Sequence, residues 1–144
     1  MSSTPPSFSV KRRLSSFRFA FSGWVYVLRT QHNAWIHAAA SLLVFALGLW
    51  LRLPARDWAV LLLTIMVVWM GEFINTAIEA VVDMTMPDHH PLAKVAKDVA
   101  AAAVLVGACG AIIIGLLILG PPLVAKLEGI GDLALFAPLP ALFQ

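Results

Sequence analysis

Three long apolar runs divide the chain, and they differ in where polar residues interrupt them. The first, AWIHAAASLLVFALGLWL at residues 34–51, carries Trp35 and Trp50 near its two ends. At about 1.5 Å per residue it spans about 27 Å, close to the hydrocarbon thickness of a bilayer. Tryptophans at both ends are the aromatic belt of a membrane-spanning helix. The third run, VAAAAVLVGACGAIIIGLLIL at 99–119, contains no charge, and Gly120, Pro121 and Pro122 are expected to stop it, giving a span over 97–119. The second begins with DWAVLLLTIMVVWM and passes directly into GEFINTAIEAVVD, predicting a span over 58–84. RLPARD, with Pro54 as a breaker, and MPDHHPL form the connections. Upstream, Leu14, Phe17, Phe21, Trp24 and Leu28 recur at helical spacing. They predict an amphipathic helix over 14–30 lying in the membrane interface, with a helix packed on the bundle as the competing reading. Residues 1–13 open with the Ser/Pro-rich MSSTPPSFSV and are expected to be flexible, and residues 121–144 have too few consecutive apolar residues for a fourth span, their role open.

Composition agrees with this pattern. The 144 residues are 60% apolar and only 12% charged, against about 25% charged in an average soluble domain. A mean hydropathy of +0.87 points to an all-α integral membrane protein. Lys11, Arg12, Arg13, Arg18 and Arg29 crowd the first thirty residues without an acid among them. That asymmetry predicts a cytoplasmic N-terminus, with the loop at 84–96 on the same side, and the apolar remainder of the chain makes a nucleic-acid partner the weaker reading. No cleavable leader is expected. Cys109, the single cysteine, excludes an internal disulfide and reads as a small packing residue. No internal repeat is evident.

The acids of the second run carry the chemical signal. At about 100° per residue, Glu79 and Asp83 return to within roughly 20° of Glu72, and Asn75 lies about 60° away. Three carboxylates and an amide therefore share one stripe, beside Thr76. A carboxylate at membrane depth costs about 2.5–3.5 kcal/mol on insertion scales. Such a stripe requires a partner: a basic residue, a divalent cation, a proton or a polar substrate. Polar contacts between helices, or snorkelling at the helix end, are the plainer readings, and Asp83 fits them best. The second constellation, HHPLAKVAKDVAAAA, places Lys94, Lys97 and Asp98 where the third span begins. Acids on one helix and lysines on the next suit a metal–phosphate site, which needs hard oxygen ligands and a cation for phosphate. A solvated basic flank is the alternative. His89 and His90 lack partners for a zinc site, and no glycine-rich phosphate loop is present. Ala103, Gly107, Ala111 and Gly115 form a small-residue stripe that lets another helix approach closely, within the chain or between copies.

GEFINTAIEAVVD, HHPLAKVAKDVAAAAVL and the upstream FRFAFSGWVYVL together resemble the small bacterial membrane lipid kinases, the family of diacylglycerol kinase and undecaprenol kinase. The resemblance covers about residues 12–120, and HPLAKVAKD is closer to the undecaprenol-kinase branch common in Gram-positive bacteria. It implies an interfacial helix and three transmembrane helices assembled as a homotrimer in the bacterial cytoplasmic membrane. It also implies transfer of the γ-phosphoryl group of ATP, with Mg²⁺, to a membrane lipid alcohol, as in phospholipid or envelope-lipid recycling. By resemblance Glu72 matches the catalytic base, Glu79 a metal-ligating glutamate, and Asn75 the polar residue between them. Lys97 and Asp98 match a lysine–aspartate pair at the nucleotide. Asp88 and His90 fall in a nucleotide-contacting loop, and Arg12 and Phe19 at N-terminal nucleotide contacts. Asp83 and Lys94 are expected to support the site.

Two positions depart from the family pattern. Where the family carries a metal-binding glutamate before the first span, this chain has Gln31; where it carries an arginine, this chain has Trp35. Gln31 supplies a carbonyl ligand but no charge. Whether the site operates with one acid fewer, is compensated by His32 or another residue, or is weakened stays open. Outside the kinase reading, the acidic stripe alone also suits a non-catalytic membrane scaffold or an ion or proton relay, and metal with carboxylates also serves phosphatases.

Overall fold

The structure, a computed structural model, describes residues 10–86 and 90–135. It consists of α1 (Val10–Thr30), α2 (His32–Leu51), α3 (Ala55–Thr85) and α4 (Pro91–Leu135). The expected all-α class holds, and α2, α3 and α4 are each long and apolar enough to cross a membrane. Leu42, Leu43, Leu63, Val106, Leu116 and Leu117 are among the many large apolar side chains left exposed by the isolated chain. Lipid tolerates that surface and water does not. α3 and α4 form the main antiparallel pair, α2 lies against both, and α1 leans on α2 and α3.

Each helix is longer than expected, α1 beginning at Val10 rather than 14, and α4 departs furthest from expectation. It runs through Gly120, Pro121 and Pro122 instead of stopping there. The two prolines remove the backbone donors that would reach the carbonyls of Leu117 and Ile118. In apolar surroundings, unwinding the chain would leave still more backbone groups unpaired, so the helix continues. Beyond the prolines Lys126 pins it: Nζ donates to the Trp50 carbonyl at 2.7 Å and sits 4.7 Å from the Trp50 ring centroid.

The small-residue stripe on α4 is only in part a packing face. Gly107 approaches Val68 and Val104 approaches Gly71, but Ala103 is exposed and Gly115 has open space about it. Ala100 and Val104 are the residues buried there. Cys109 is exposed, so it does not pack the interior as expected. The apolar stripe of α1 is likewise divided: Val27 is buried and Leu28 packs beside it, whereas Phe17 and Phe21 are exposed. Trp24 lies tilted against Trp69, with ring centroids 4.6 Å apart, and edge-on to Phe73 at 4.7 Å. This part of the helix thus takes the packed-on-bundle form.

Two tight connections set the helix positions. Gln31 alone, extended at φ −105° and ψ 114°, separates α1 from α2. At the other end of α2, Arg52 N–H donates to Leu49 O and Leu53 N–H to Gly48 O, closing the helix with a Schellman turn. That turn requires a left-handed residue, and Arg52 takes it at φ 56°. Gly48 is needed nearby because a Cβ there would lie 2.7 Å from the Trp58 ring, which itself packs on Phe45.

Gly48→Ala is expected to destabilise the protein by about 1–2 kcal/mol, overpacking exceeding the gain in helix propensity. Arg52→Gly is expected to stabilise it by about 0.5–1 kcal/mol, relieving the left-handed strain. Unfolding in detergent, with Gly23→Ala as the control in open space, measures both.

Candidate functional site

The stripe forecast along α3 forms, and its environment changes along its length. Glu72, Asn75 and Thr76 are buried, Glu79 is half-buried and Asp83 is exposed. Glu72 lies about 25 Å along the axis from the start of α3, near the far edge of a hydrocarbon layer entered at Ala55; Glu79 and Asp83 lie about 10 and 16 Å further on. The stripe thus passes from dry to wet where apolar and aqueous phases meet.

Glu72 has only 1% of its surface exposed. Neither carboxylate oxygen has a hydrogen-bond partner among the described residues. His37 on α2 brings Nε2 to 3.8 Å from Oε2, too long for a hydrogen bond. His37 Nε2 and Asn75 Oδ1 are also buried without partners. These orphaned atoms belong to residues that line one cavity of about 250 Å³. Gln31, Asn33, His37, Glu72, Asn75 and Glu79 form its polar side, and Ala101, Val104, Leu105 and Ala108 of α4 form an apolar wall.

Both oxygens of Glu79 are engaged. Gln31 Nε2 donates to Oε2 at 2.8 Å, and Asn75 Nδ2 donates to Oε1 at 3.0 Å. The single-residue connection between α1 and α2 therefore delivers Gln31 to Glu79, 48 residues further along the chain. Around Glu72, Thr76 satisfies its own hydroxyl on the Glu72 carbonyl. Trp69 Nε1 donates to Ser41 Oγ at 3.3 Å, and Ser41 donates to the His37 carbonyl, so one chain of contacts steadies α2 against α3 beside the cavity.

Two carboxylates face this cavity, and among the described residues no lysine or arginine lines it. Among the described residues no three His, Cys, Asp or Glu side chains converge as a metal cluster. With few carboxylates, amide oxygens could complete a Mg²⁺ site beside water and phosphate oxygens. Asn75 and Gln31 each meet Glu79 and with it offer that hard-oxygen chemistry, and Asn75 Oδ1 has no hydrogen-bond partner among the described residues. The residues present fit a hard divalent cation.

The lysines lie elsewhere. Lys97 donates to Asp83 Oδ1 across α3 and α4, while Lys94 donates to Asp98 Oδ2 one turn along α4. Lys97 and Asp98 are thus each paired with other residues, and neither lines the cavity. Lys97 shares the depth of Asp83, which lies about three helical turns along α3 from Glu72 and about one from Glu79, so the lysines stand at the outer end of the acidic stripe. His90 Nδ1 accepts the Leu92 N–H at 3.2 Å, capping α4 ahead of Pro91 at its first position. Phe19 is exposed on α1. Arg12 lies on α1 with its side chain outside the described residues, and Asp88 lies outside them altogether.

His37 and Asn33 are the cavity residues that sequence reasoning passed over. A signal for His37 existed: it is the sole titratable residue in the first apolar run, and an ionisable group within a span marks function by default.

The sequence model of the prokaryotic diacylglycerol kinase family matches residues 18–119. The chain is 45% identical over 113 residues to the diacylglycerol kinase of Synechocystis sp., a match covering 78% of this chain and 65% of that relative. It is 43% identical over 114 residues to the undecaprenol kinase of Bacillus subtilis, covering 79% and 93% of the two chains. Against the diacylglycerol kinase of Escherichia coli (strain K12) it is 38% identical over 87 residues, covering 56% and 71%. The match therefore spans just under two thirds of the Synechocystis protein.

The Asp83–Lys97 pair is part-exposed, 64% and 37% for the two side chains. Its coupling energy in a double-mutant cycle of detergent unfolding is expected at about 0.2–1 kcal/mol. A larger coupling would make the pair a structural strap.

Proposed function

The chain belongs to the prokaryotic diacylglycerol kinase family, and from that premise we propose that it is an ATP-dependent lipid kinase, phosphorylating the hydroxyl of a membrane lipid alcohol at the cytoplasmic face. The relatives' names give the acceptor class as diacylglycerol or undecaprenol. One observation carries the reading: a fully buried, partnerless Glu72 opens into a cavity whose other end carries Glu79.

The lipid hydroxyl arrives from the apolar phase and ATP from water, so the two meet only at the boundary where the α3 stripe changes from buried to exposed. Glu72 accepts the hydroxyl proton while the hydroxyl oxygen bonds to the γ-phosphorus. The bond from that phosphorus to the β,γ-bridging oxygen breaks, and ADP leaves. Burial holds Glu72 free of competing donors, so its oxygens await the substrate. The apolar wall of Ala101, Val104, Leu105 and Ala108 admits the lipid end and limits water, which would otherwise take the phosphoryl group. Glu79, with Asn75 and Gln31, would hold Mg²⁺, which when bound offsets phosphate charge. Lys97, within reach of water at the cytoplasmic end, releases Asp83 to meet nucleotide phosphate; Lys94, Asp98 and His90 shape that end. A homotrimer, with lipid-exposed faces of α2 and α4 meeting other copies, completes the proposed assembly.

Purified protein given Mg-ATP in mixed micelles is expected to phosphorylate at least one of diacylglycerol and undecaprenol in side-by-side assays. Glu72→Gln, which keeps shape and removes the base, is expected to lower kcat by about 10²–10⁴-fold with native-like thermal stability. No transfer by the wild-type chain to either alcohol sinks the proposal.

Gln31 gives a second test. Gln31→Glu replaces an amide donor with a carboxylate facing Glu79, so repulsion should lower thermal stability in EDTA. Added Mg²⁺ should restore stability and saturate at a lower concentration than for wild type. An EDTA-insensitive variant contradicts the assignment of Gln31 and Glu79 to one cation site.

A further inference from the structure

The kinase reading assigns Glu72 but leaves His37 unused, although the two share the most unusual feature of the site. Buried side-chain atoms in proteins nearly always have hydrogen-bond partners. Here His37 Nε2 and both oxygens of Glu72 have none among the described residues, and Nε2 stands 3.8 Å from Oε2 on the same cavity. The gap is too wide for a direct hydrogen bond. It is the right width for a single atom that accepts from one side and donates to the other. An oxygen about 2.8 Å from both Nε2 and Oε2 would subtend an angle of about 85° between them, an acceptable geometry for a hydroxyl.

His37 is held for this task. Its ring stands edge-on to Trp69 at 6.4 Å, and its carbonyl accepts from Ser41, whose hydroxyl in turn accepts from Trp69 Nε1. The imidazole is thus fixed between α2 and α3 with its orphan nitrogen facing the cavity.

We propose that His37 contacts the substrate: Nε2–H donates to the oxygen of the same lipid hydroxyl whose proton Glu72 accepts. This rests on the kinase reading and adds a residue to it. The hydroxyl oxygen has two lone pairs. His37 binds one, the other attacks the γ-phosphorus, and the proton passes to Glu72, so no further reactant is required. Donor and acceptor converging on one atom select an alcohol; an ester or hydrocarbon end leaves at least one of the two buried groups unpaired. Truncating the donor removes one buried hydrogen bond, a loss of about 10- to 100-fold in kcat/KM for the alcohol.

The test begins with wild-type transfer to a short-chain diacylglycerol and to a short polyprenol. Transfer to neither refutes the kinase reading itself. With whichever alcohol is phosphorylated, His37→Leu is expected to lower its kcat/KM by about 10- to 100-fold while leaving KM for ATP within about twofold, and His37→Gln to recover part of the loss. In the ¹⁵N-histidine-labelled chain without ATP, the His37 Nε2 resonance is expected to shift on adding that alcohol and to stay put with its deoxy counterpart. Full activity in His37→Leu, or an equal shift with the deoxy compound, overturns the role of His37 and leaves the kinase reading standing. Should His37→Leu fail to fold, the wild-type resonance and His37→Gln decide the question.

Discussion

The structure turns on one carboxylate placed where solvation is least available. Glu72 is closed off from solvent, no donor reaches its oxygens, and it lies on a helix that is long and apolar enough to cross a membrane. Burying an unpartnered polar group costs several kcal/mol, and a charged one more. Glu79 in the same cavity adds like charge. Among the described residues no lysine or arginine lines the wall around the two acids, and on the proposed reading the balance comes from what enters: a hydroxyl at Glu72 and a cation with its phosphates at Glu79. Phosphoryl transfer to a lipid alcohol supplies that pair of visitors, one from each phase.

The rest of the fold serves that placement. α3 carries the acids from the dry to the wet phase on one face. α4 closes the cavity with small and branched side chains, its backbone at Val104 coming close to Gly71 and its Gly107 to the Val68 side chain. The one-residue break at Gln31 turns α1 back against the bundle and sends an amide to Glu79. Trp24, Trp69 and Phe73 fasten α1 over the same level of α3. At the opposite end, the Arg52 turn and the Lys126–Trp50 contact hold the helix ends together far from the chemistry.

Much of this was legible in the chain before any coordinates, for physical reasons that differ by residue. The spacing of seven and eleven that aligns Glu72, Glu79 and Asp83 is nearly a whole number of helical turns, so the stripe survives any choice of helix ends. The position of Gln31 against Glu79 came from resemblance, because contacts between distant segments leave no local periodicity. Lys97 and Asp98 stand together in a motif shared by resemblance, but neighbours on a helix diverge by about 100°. Lys97 found Asp83 on the facing helix instead. His37 was visible as a lone ionisable residue among apolar ones, yet its pairing with Glu72 depends on how α2 is set against α3. Pro121 and Pro122 misled because the rule that proline ends helices is a rule about water, where freed carbonyls find other donors.

The central claim is that the acceptor hydroxyl reaches Glu72 inside this cavity. A solid-state NMR distance in lipid bilayers tests it directly, between the ¹³C-labelled side-chain carboxyl carbon of Glu72 and the ¹³C-labelled carbinol carbon of the lipid alcohol, with a non-transferable ATP analogue and Mg²⁺ present. The account predicts a separation of about 5 Å or less, set by a hydroxyl within hydrogen-bond reach of the carboxylate. A bound alcohol whose carbinol carbon stays beyond about 8 Å would contradict it, since no proton could then pass to Glu72 even through one water.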